Sequence, residues 1–136
     1  MTEGKLKAFV HQHTLAVIAT FGEDYPESAV IEFGSDGLDL VFDTKSHSRK
    51  YGNLLRNPHV SLVIGWDSGK TLQYEGVAAL VTGGECQRLQ GLYFAKNPSA
   101  KARQQEEGTV YFKVTPKWLR LSDFSVDPWQ ATELAC

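Results

Sequence analysis

Cysteine and long apolar runs are both scarce in this sequence. Only Cys86 and Cys136 occur among 136 residues, and they do not form a CxxC pair. This usage predicts a reduced, cytoplasmic protein without a disulfide scaffold. The longest apolar runs, such as residues 77–81, are far too short to span a bilayer, and the first residues lack the apolar core of a secretory signal. We therefore expect no membrane partner.

The sequence also has no large excess of positive or of negative charge. Lysine and arginine together number 14, aspartate and glutamate 16, and the formal net charge is −2. Binding to nucleic acid or to an anionic membrane draws on a broad positive field. We therefore expect no nucleic-acid partner, and any anion site must be a local concentration of charge. The length and the 42% hydrophobic content fit one globular domain.

The common catalytic motifs are missing as well. The sequence contains no HExxH, GxSxG, Walker or GxGxxG motif. Its histidines and carboxylates are dispersed along the chain, so their spacing defines neither a metal site nor an acid/base pair. The catalytic residues therefore remain unknown, and no metal is expected.

Hydrophobic periodicity and turn residues predict a mainly β (α+β) protein with short flanking helices. Tight turns between most strands indicate an antiparallel sheet, and a small closed barrel is the expected architecture. Trp66 continues an inward-facing alternation and is expected in the core. Residues 1–122 are expected to form the domain, and residues 123–136 a tail without clear periodicity. The predicted elements are helices at 3–12, 46–57, 85–95 and 99–106, and six strands at 15–20, 28–33, 38–43, 60–66, 71–82 and 110–121, the last interrupted at Pro116.

One segment breaks a local rule of charge placement. Residues 44–50 carry three permanent cations, three hydroxyls and no acid, at the point where a strand ends and a helix begins. Helix N-termini favour negative charge, so Arg49 and Lys50 are unfavourable in a first turn. A bound phosphate would remove the conflict, because free N–H groups, hydroxyls and two cations would converge on it. A solvated basic helix face is the alternative reading.

Several short motifs together resemble one known family. The stretch Phe42-Asp-Thr44, then Ser48-Arg-Lys50, then Asn57-Pro-His-Val-Ser-Leu62 and Trp66 is similar to the pyridoxamine 5′-phosphate oxidase-like family. The likeness extends from about residue 8 to residue 122. It implies a split β-barrel that binds FMN at the interface of a homodimer.

The resemblance also implies roles for individual residues. Arg49 and Lys50 would hold the FMN phosphate, and a strand at 28–31 would line the isoalloxazine ring. Tyr93 and Lys101 fall in the segment that grips the substrate in the family's oxidases. The implied cofactor-binding residues are Ser28, Ala29, Val30, Ile31, Asp43, Thr44, Ser48, Arg49, Lys50, Thr71 and Gln73.

The sequence departs from the oxidase pattern at several of these places. Ser28 stands where the oxidases carry arginine in the ring-lining strand, and Thr71 stands where they carry glutamine, for which Gln73 is a substitute on the same strand face. Asn97 replaces a substrate-binding arginine, and Ser122 replaces a histidine near the C-terminus. Oxidation of pyridoxamine 5′-phosphate itself is therefore not the expected reaction.

These observations favour an FMN-dependent oxidoreductase that acts by hydride transfer on a small molecule or on NAD(P)H. Three alternatives stay open: a non-catalytic flavin-binding module, and the same barrel with a deazaflavin or with haem. A deazaflavin has a longer anionic tail that needs a wider basic groove, whereas the basic residues cluster in one place. Haem needs a committed histidine ligand, and none stands out in the sequence.

Overall fold

Eight antiparallel strands form one curled sheet in the computed structural model, which describes residues 2–136. Three α-helices and one 3-10 helix surround it. The strands are β1 (Leu15–Phe21), β2 (Pro26–Glu32), β3 (Gly34–Asp36), β4 (Asp39–Lys45), β5 (His59–Ile64), β6 (Lys70–Val81), β7 (Thr109–Asp123) and β8 (Gln130–Ala135). The helices are α1 (Thr2–Gln12), α2 (Arg49–Arg56), α3 (Gly83–Lys96) and the 3-10 helix η1 (Pro98–Gln105).

The sheet branches at its longest strand. Its order is β2-β1-β5-β6-β7-β4-β3, and β8 also pairs with β7. The first half of β7 pairs with β4, and the second half pairs with β8, while β6 follows β7 along nearly its whole length. As a result β2 lies at one edge of the sheet, with β1 as its only strand partner among the described residues.

The core lies inside the curl of the sheet. Strand β5 shows the pattern most clearly, since Val60, Leu62 and Ile64 are buried and alternate with exposed residues. The Tyr74 hydroxyl donates to the Leu38 carbonyl at 2.7 Å, so the largest polar group of this core is satisfied. A second, smaller cluster packs α3 and η1 against the other side of β4 and β7; it contains Val41, Leu89, Tyr93, Ala100 and Tyr111.

The structure confirms the mainly β antiparallel class, but the six predicted strands were too few. Strand β3 lies in a stretch that was expected to be a turn. Strand β8 lies in the tail, where no element was predicted; its residues have little apolar alternation, and the strand is held by pairing with β7. Pro116 does not interrupt β7, because it sits at a β-bulge opposite Gly76, where a missing N–H is tolerated.

The expectation for Trp66 was wrong. Strand β5 ends at Ile64, and Gly65 follows with a φ of 77°, which turns the chain away from the strand direction. Trp66 therefore leaves the inward-facing alternation and is 51% exposed.

Replacing Gly76 with alanine is expected to destabilise the sheet. A Cβ at this position would lie 2.6 Å from the Thr115 carbonyl oxygen and 2.9 Å from a methyl group of Val114. Overpacking of this kind costs about 1–3 kcal/mol of unfolding free energy. Urea-induced unfolding measures it, with Gly91→Ala as the control, because a Cβ at Gly91 meets nothing within 4 Å. A Gly76→Ala midpoint at or above that of the unsubstituted protein would contradict the expectation.

Candidate functional site

The edge strand β2 presents an unusually open surface. Ser28, Ala29 and Val30 are consecutive and all exposed, and Val30 has 64% of its surface accessible. A strand with one covered face would alternate instead. The outer edge of β2 carries backbone N–H and C=O groups that have no strand partner in residues 2–136. An apolar, hydrogen-bonding surface of this kind suits a flat ligand or another polypeptide.

Helix α2 begins beside this strand with two cations and no acid in its first turn. Ser48 is the N-cap, and its hydroxyl accepts a hydrogen bond from the Tyr51 amide at 3.2 Å. The Thr44 hydroxyl lies 2.9 Å from the Ser48 hydroxyl. Arg49 and Lys50 are the first two helical residues, so both lie in the first turn as predicted, although the helix was expected to begin earlier, at Ser46.

Two adjoining clefts lie between β2 and the start of α2. The central cleft, of about 180 Å³, is lined by Ile18, Thr20, Glu27, Ser28, Ala29, Ser48, Arg49 and Lys50. The distal cleft, of about 320 Å³, is lined by Val30, Ile31, Glu32, Asp43, Thr44, Lys45, Ser48, Lys50 and Arg103. Ser48 and Lys50 border both clefts, so together they form one groove along β2 with the helix N-terminus at its middle.

A carboxylate from β2 meets the basic segment in the central cleft. Glu27 Oε2 lies 3.4 Å from Arg49 Nη1, and Glu27 Oε1 accepts a hydrogen bond from the Asn53 amide at 2.7 Å. The same amide donates to the Thr20 hydroxyl at 3.0 Å. Arg49 itself is 81% exposed along its side chain, so it remains available to an anion entering from solvent.

Lys50 occupies the junction between the two clefts. Burial lowers the pKa of its ammonium group, and the nearby Asp43 carboxylate opposes this shift. A partly desolvated cation interacts strongly with an incoming anion, because less water screens the pair.

An ion-pair cluster closes the far end of the distal cleft. Asp43 accepts hydrogen bonds from Arg103 Nε at 2.8 Å and from the Tyr93 hydroxyl at 2.5 Å. Arg103 Nη2 also reaches Glu32 Oε1 at 2.8 Å. Burial, reinforced by the bond to Asp43, raises the pKa of the Tyr93 hydroxyl, which therefore stays protonated. The cluster joins η1, α3, β2 and β4 into one wall.

The groove brings together most of the cofactor-binding residues predicted from the sequence. Ile31 is buried in the core and only borders the groove, and both Asp43 oxygens already have partners. The predicted residues that line the two clefts are Ser28, Ala29, Val30, Ile31, Asp43, Thr44, Ser48, Arg49 and Lys50.

Thr71 and Gln73 do not reach this groove. Leu72 and Tyr74 are buried on the inner face of β6, so Thr71 and Gln73 point to the outer face. Strand β6 is three strand spacings from β2, which is about 14 Å. Within a single chain these two residues and the groove are therefore separate.

The two predicted substrate-binding residues are also apart from the groove's open surface. Tyr93 is fully buried, and its hydroxyl is engaged by Asp43 and Arg103, so it presents no free group to a substrate. Lys101 is exposed on η1 and is not among the residues that line either cleft. The nearby Asn97 is buried too, and its amide donates to the Phe33 carbonyl at 2.8 Å.

Three charged residues of the groove were missed in the sequence. Glu27 and Glu32 lie on β2, outside the basic segment of residues 44–50, so the composition of that segment did not indicate them. Arg103 lies about fifty residues beyond that segment, and only the packing of η1 against β4 brings it to Asp43. No local pattern indicated either Glu27 or Arg103, because β2 does not alternate regularly and η1 is distant in the chain.

A separate cleft opens on the other side of β1. Pairing between β1 and β5 ends at Ala19 and Ser61, and the strands diverge beyond that point. The resulting cleft, of about 350 Å³, is lined by Ala19, Thr20, Phe21, Pro26, His59, Val60, Ser61, Glu75, Gly76 and Lys117. His59 Nδ1 lies 2.9 Å from Asn57 Oδ1, which orients its ring.

Comparison with known protein families assigns the chain. A family model described as pyridoxamine 5′-phosphate oxidase matches residues 2–123. The chain belongs to the pyridoxamine 5′-phosphate oxidase family. The resemblance inferred from the Ser48-Arg49-Lys50 and Asn57-Pro58 motifs is thereby confirmed, and so is the split-barrel fold that it implied.

Solved structures with this fold include proteins with different described roles. A proposed pyridoxamine 5′-phosphate oxidase from Listeria innocua has a TM-score of 0.74 and 29% identity, over 89% of this chain and 98% of that one. A haem-binding protein from Mycobacterium smegmatis has a TM-score of 0.83 and 14% identity, over 99% of this chain but only 58% of that one. The haem storage protein HutZ from Vibrio cholerae has a TM-score of 0.73 and 18% identity, over 85% and 90% of the two chains.

No protein with a curated description matches the sequence significantly. Within residues 2–136, no helix is long and apolar enough to cross a membrane. In the same part of the chain, no three or more histidine, cysteine, aspartate or glutamate side chains are grouped as a metal site requires.

Lys96 is held by contacts within the fold rather than presented to a ligand. Its Nζ donates to the Val10 carbonyl at 3.1 Å and lies 4.2 Å from the centroid of the Phe33 ring. Burial lowers the pKa of this lysine from 10.5 to about 8. Between those two values the unfolded chain binds more protons than the folded chain, so folding stability rises with pH there.

We therefore expect the unfolding free energy of the unsubstituted protein to increase from pH 8 to pH 10, relative to a Lys96→Met variant. The difference between the two proteins cancels the other groups that titrate in this range. Urea-induced unfolding at half-unit pH intervals measures it. Parallel profiles for the two proteins would contradict the expected titration of Lys96.

Proposed function

We propose that this chain binds FMN in the groove along β2 and acts as an FMN-dependent oxidoreductase by hydride transfer. One observation carries the proposal. The N-terminus of α2, with Ser48, Arg49 and Lys50, opens into a groove beside an exposed edge strand. Membership of the pyridoxamine 5′-phosphate oxidase family supports the same reading.

The central cleft suits the phosphate of FMN. Backbone N–H groups at a helix N-terminus attract anions, and two cations there would otherwise be unfavourable. Ser48 would donate its hydroxyl, Arg49 would turn from Glu27 toward the phosphate, and Lys50 would add a partly desolvated charge. Hydrogen bonds to charged groups contribute about 1.5–3 kcal/mol each.

The exposed part of β2 suits the flavin ring. Ala29 and Val30 offer apolar side chains, and the unpaired edge of the strand offers backbone donors and acceptors to the polar side of the ring. FMN supplies the hydride chemistry when it is bound. The chain binds the cofactor, orients it and excludes water on one side.

The substrate that exchanges hydride with the flavin is a small molecule or NAD(P)H, and not pyridoxamine 5′-phosphate. Asn97 and Ser122 stand at the positions where the oxidases carry substrate-binding arginine and histidine. Asn97 is buried and bonded to a backbone carbonyl, and Ser122 is only 7% exposed. Neither side chain supports a phosphate contact.

A homodimer is part of the proposal. Val30, Val17 and Val63 form a row across β2, β1 and β5 on the outer face of the sheet, with Val30 and Val63 64% and 38% exposed. Gln73 continues that row on β6. A second copy packed on this face would cover the apolar row, and would allow Thr71 and Gln73 to approach the groove of its partner.

Haem is the second candidate ligand. His59 lies in the largely apolar cleft beside β1, with its Nδ1 oriented by Asn57 and its Nε2 available. Neutral imidazole is a frequent ligand of haem iron. Two proteins of the same fold are described as haem-binding or haem-storing. Haem is therefore tested beside FMN in the experiment below.

Replacing both phosphate-binding cations is expected to weaken FMN binding by at least tenfold. The Arg49→Ala/Lys50→Ala variant loses two charged contacts, and ~1.4 kcal/mol already corresponds to a factor of ten. Flavin fluorescence titration measures the affinity, and circular dichroism checks that the variant folds. Lys5→Ala/Lys7→Ala is the matched control, since both residues are exposed on α1 and the loss of charge is the same.

Unchanged FMN affinity in the folded double variant would overturn the phosphate assignment. The unsubstituted protein could instead fail to bind FMN and bind haemin with a sharp Soret band that His59→Ala removes. In that case haem replaces FMN as the proposed ligand. Steady oxidation of NADPH by the FMN-loaded protein distinguishes an enzyme from a flavin carrier.

A lysine in the apolar row is expected to convert the dimer to a monomer. Val63→Lys places a charge at the centre of the proposed interface, where no carboxylate opposes it in the same row. Leu92→Lys on α3 is the control, because Leu92 is 40% exposed and Val63 is 38% exposed. Light scattering coupled to size-exclusion chromatography measures the mass. A monomeric unsubstituted protein, or a Val63→Lys dimer as stable as the control, would contradict the proposed interface.

A further inference from the structure

A third cleft continues the groove beyond the phosphate position. This hairpin cleft, of about 380 Å³, is lined by Glu23, Asp24, Tyr25, Glu27, Arg49, Gly52, Asn53 and Arg56. It shares Glu27 and Arg49 with the central cleft, and the central cleft shares Ser48 and Lys50 with the distal one. The three clefts therefore follow one another along β2 and the β1–β2 hairpin.

The order of the clefts sets the direction of a bound flavin. The ring would lie over Val30 in the distal cleft, and the phosphate would lie at Ser48 and Arg49 in the central cleft. Anything attached to the far side of that phosphate would enter the hairpin cleft. The charges of the hairpin cleft therefore act on the tail of the cofactor and not on its ring.

Carboxylates outnumber cations in the hairpin cleft, by three to two. Its two arginines already have acidic partners: Arg49 pairs with Glu27 at 3.4 Å, and Arg56 pairs with Glu23 at 3.4 Å. Arg56 also donates to Asn53 Oδ1 at 2.7 Å. Asp24 has no ion-pair partner within residues 2–136, so one carboxylate is left uncompensated.

Glu27 is a fixed boundary between the central and hairpin clefts. Its carboxylate is held by Asn53 at 2.7 Å and its side chain is 22% exposed. It also packs against Gly22, where a Cβ would lie 2.6 Å from Glu27 Oε2. Because a larger residue at position 22 would displace it, the glycine leaves room for this carboxylate at the end of the phosphate position.

We propose that the acidic hairpin of residues 23–27 selects the cofactor by the charge of its tail. The hairpin admits a flavin that ends in a single phosphate, and it disfavours a flavin whose tail carries further negative charge into the hairpin cleft. A second phosphate is one such tail, and the anionic tail of a deazaflavin is another. This inference rests on the proposed function, because it assumes that the flavin phosphate binds in the central cleft.

The test compares two ligands that differ by one phosphate. FMN and riboflavin 5′-diphosphate share the ring and the first phosphate, so the ratio of their dissociation constants isolates the charge that enters the hairpin cleft. We expect the unsubstituted protein to bind FMN at least tenfold more tightly at 50 mM NaCl. The ratio is expected to fall at 500 mM NaCl, since salt screens charges on an open surface.

The test variant is Glu23→Gln/Asp24→Asn, which removes two carboxylates and releases Arg56 from its partner. We expect the ratio of the two dissociation constants to shrink by at least fivefold. The control Glu3→Gln/Glu107→Gln changes the net charge equally at exposed positions away from all three clefts, and it should keep the ratio within twofold of the unsubstituted protein. Glu27 is left intact, because it also positions Arg49.

The outcomes separate the two hypotheses. Saturable FMN binding with equal affinity for the diphosphate, or a ratio that the test variant and the control change alike, overturns the hairpin filter and leaves the proposed FMN site standing. A ratio of dissociation constants that changes neither with salt nor in the test variant indicates a steric limit and also overturns the filter. The absence of any saturable FMN binding overturns the proposed function, and the filter with it.

Discussion

The pairing of β7 with three other strands organises the rest of the molecule. Strand β7 has β6 on one side, while its other side is divided between β4 in the first half and β8 in the second. This arrangement curls the sheet and brings β4 close to β2, at the opposite end of the strand order. Helix α2 follows β4 closely in the chain, so its N-terminus comes to lie beside the free edge of β2. The groove is therefore a consequence of strand order.

Two constraints act on the cations of this groove: the dipole of α2 and the tertiary surroundings of each side chain. Arg49 and Lys50 oppose the dipole of α2, and local rules of helix formation make that unfavourable. Tertiary pairing reduces the conflict for Arg49 through Glu27, whereas Lys50 loses hydration at the junction of the clefts. The fold thus retains a cation that its local environment disfavours, and an anion bound at the helix N-terminus would relieve that cost directly.

The parts of the site that the sequence predicted are the local ones. Ser48, Arg49 and Lys50 lie together in the chain, so periodicity alone placed them near the start of a helix, although the predicted start, Ser46, precedes the observed one at Arg49. Glu27 and Arg103 come from other elements, and only the completed sheet brings them to the groove. The same limit explains β8, whose weak alternation carries little signal without its partner, and Trp66, which a single left-handed glycine removes from the core.

The side chains that the family resemblance assigns to cofactor and to substrate have different structural surroundings. Those assigned to the phosphate face open clefts at the start of α2. Tyr93 and Asn97, from the substrate segment, are buried and hold α3 and η1 against the sheet through Asp43, Arg103 and the Phe33 carbonyl. A polar group that already satisfies a buried partner cannot bind a ligand without leaving that partner unpaired, which costs about 1–3 kcal/mol. The side chains assigned to the phosphate are therefore accessible to a ligand, whereas Tyr93 and Asn97 are already engaged in contacts within the fold.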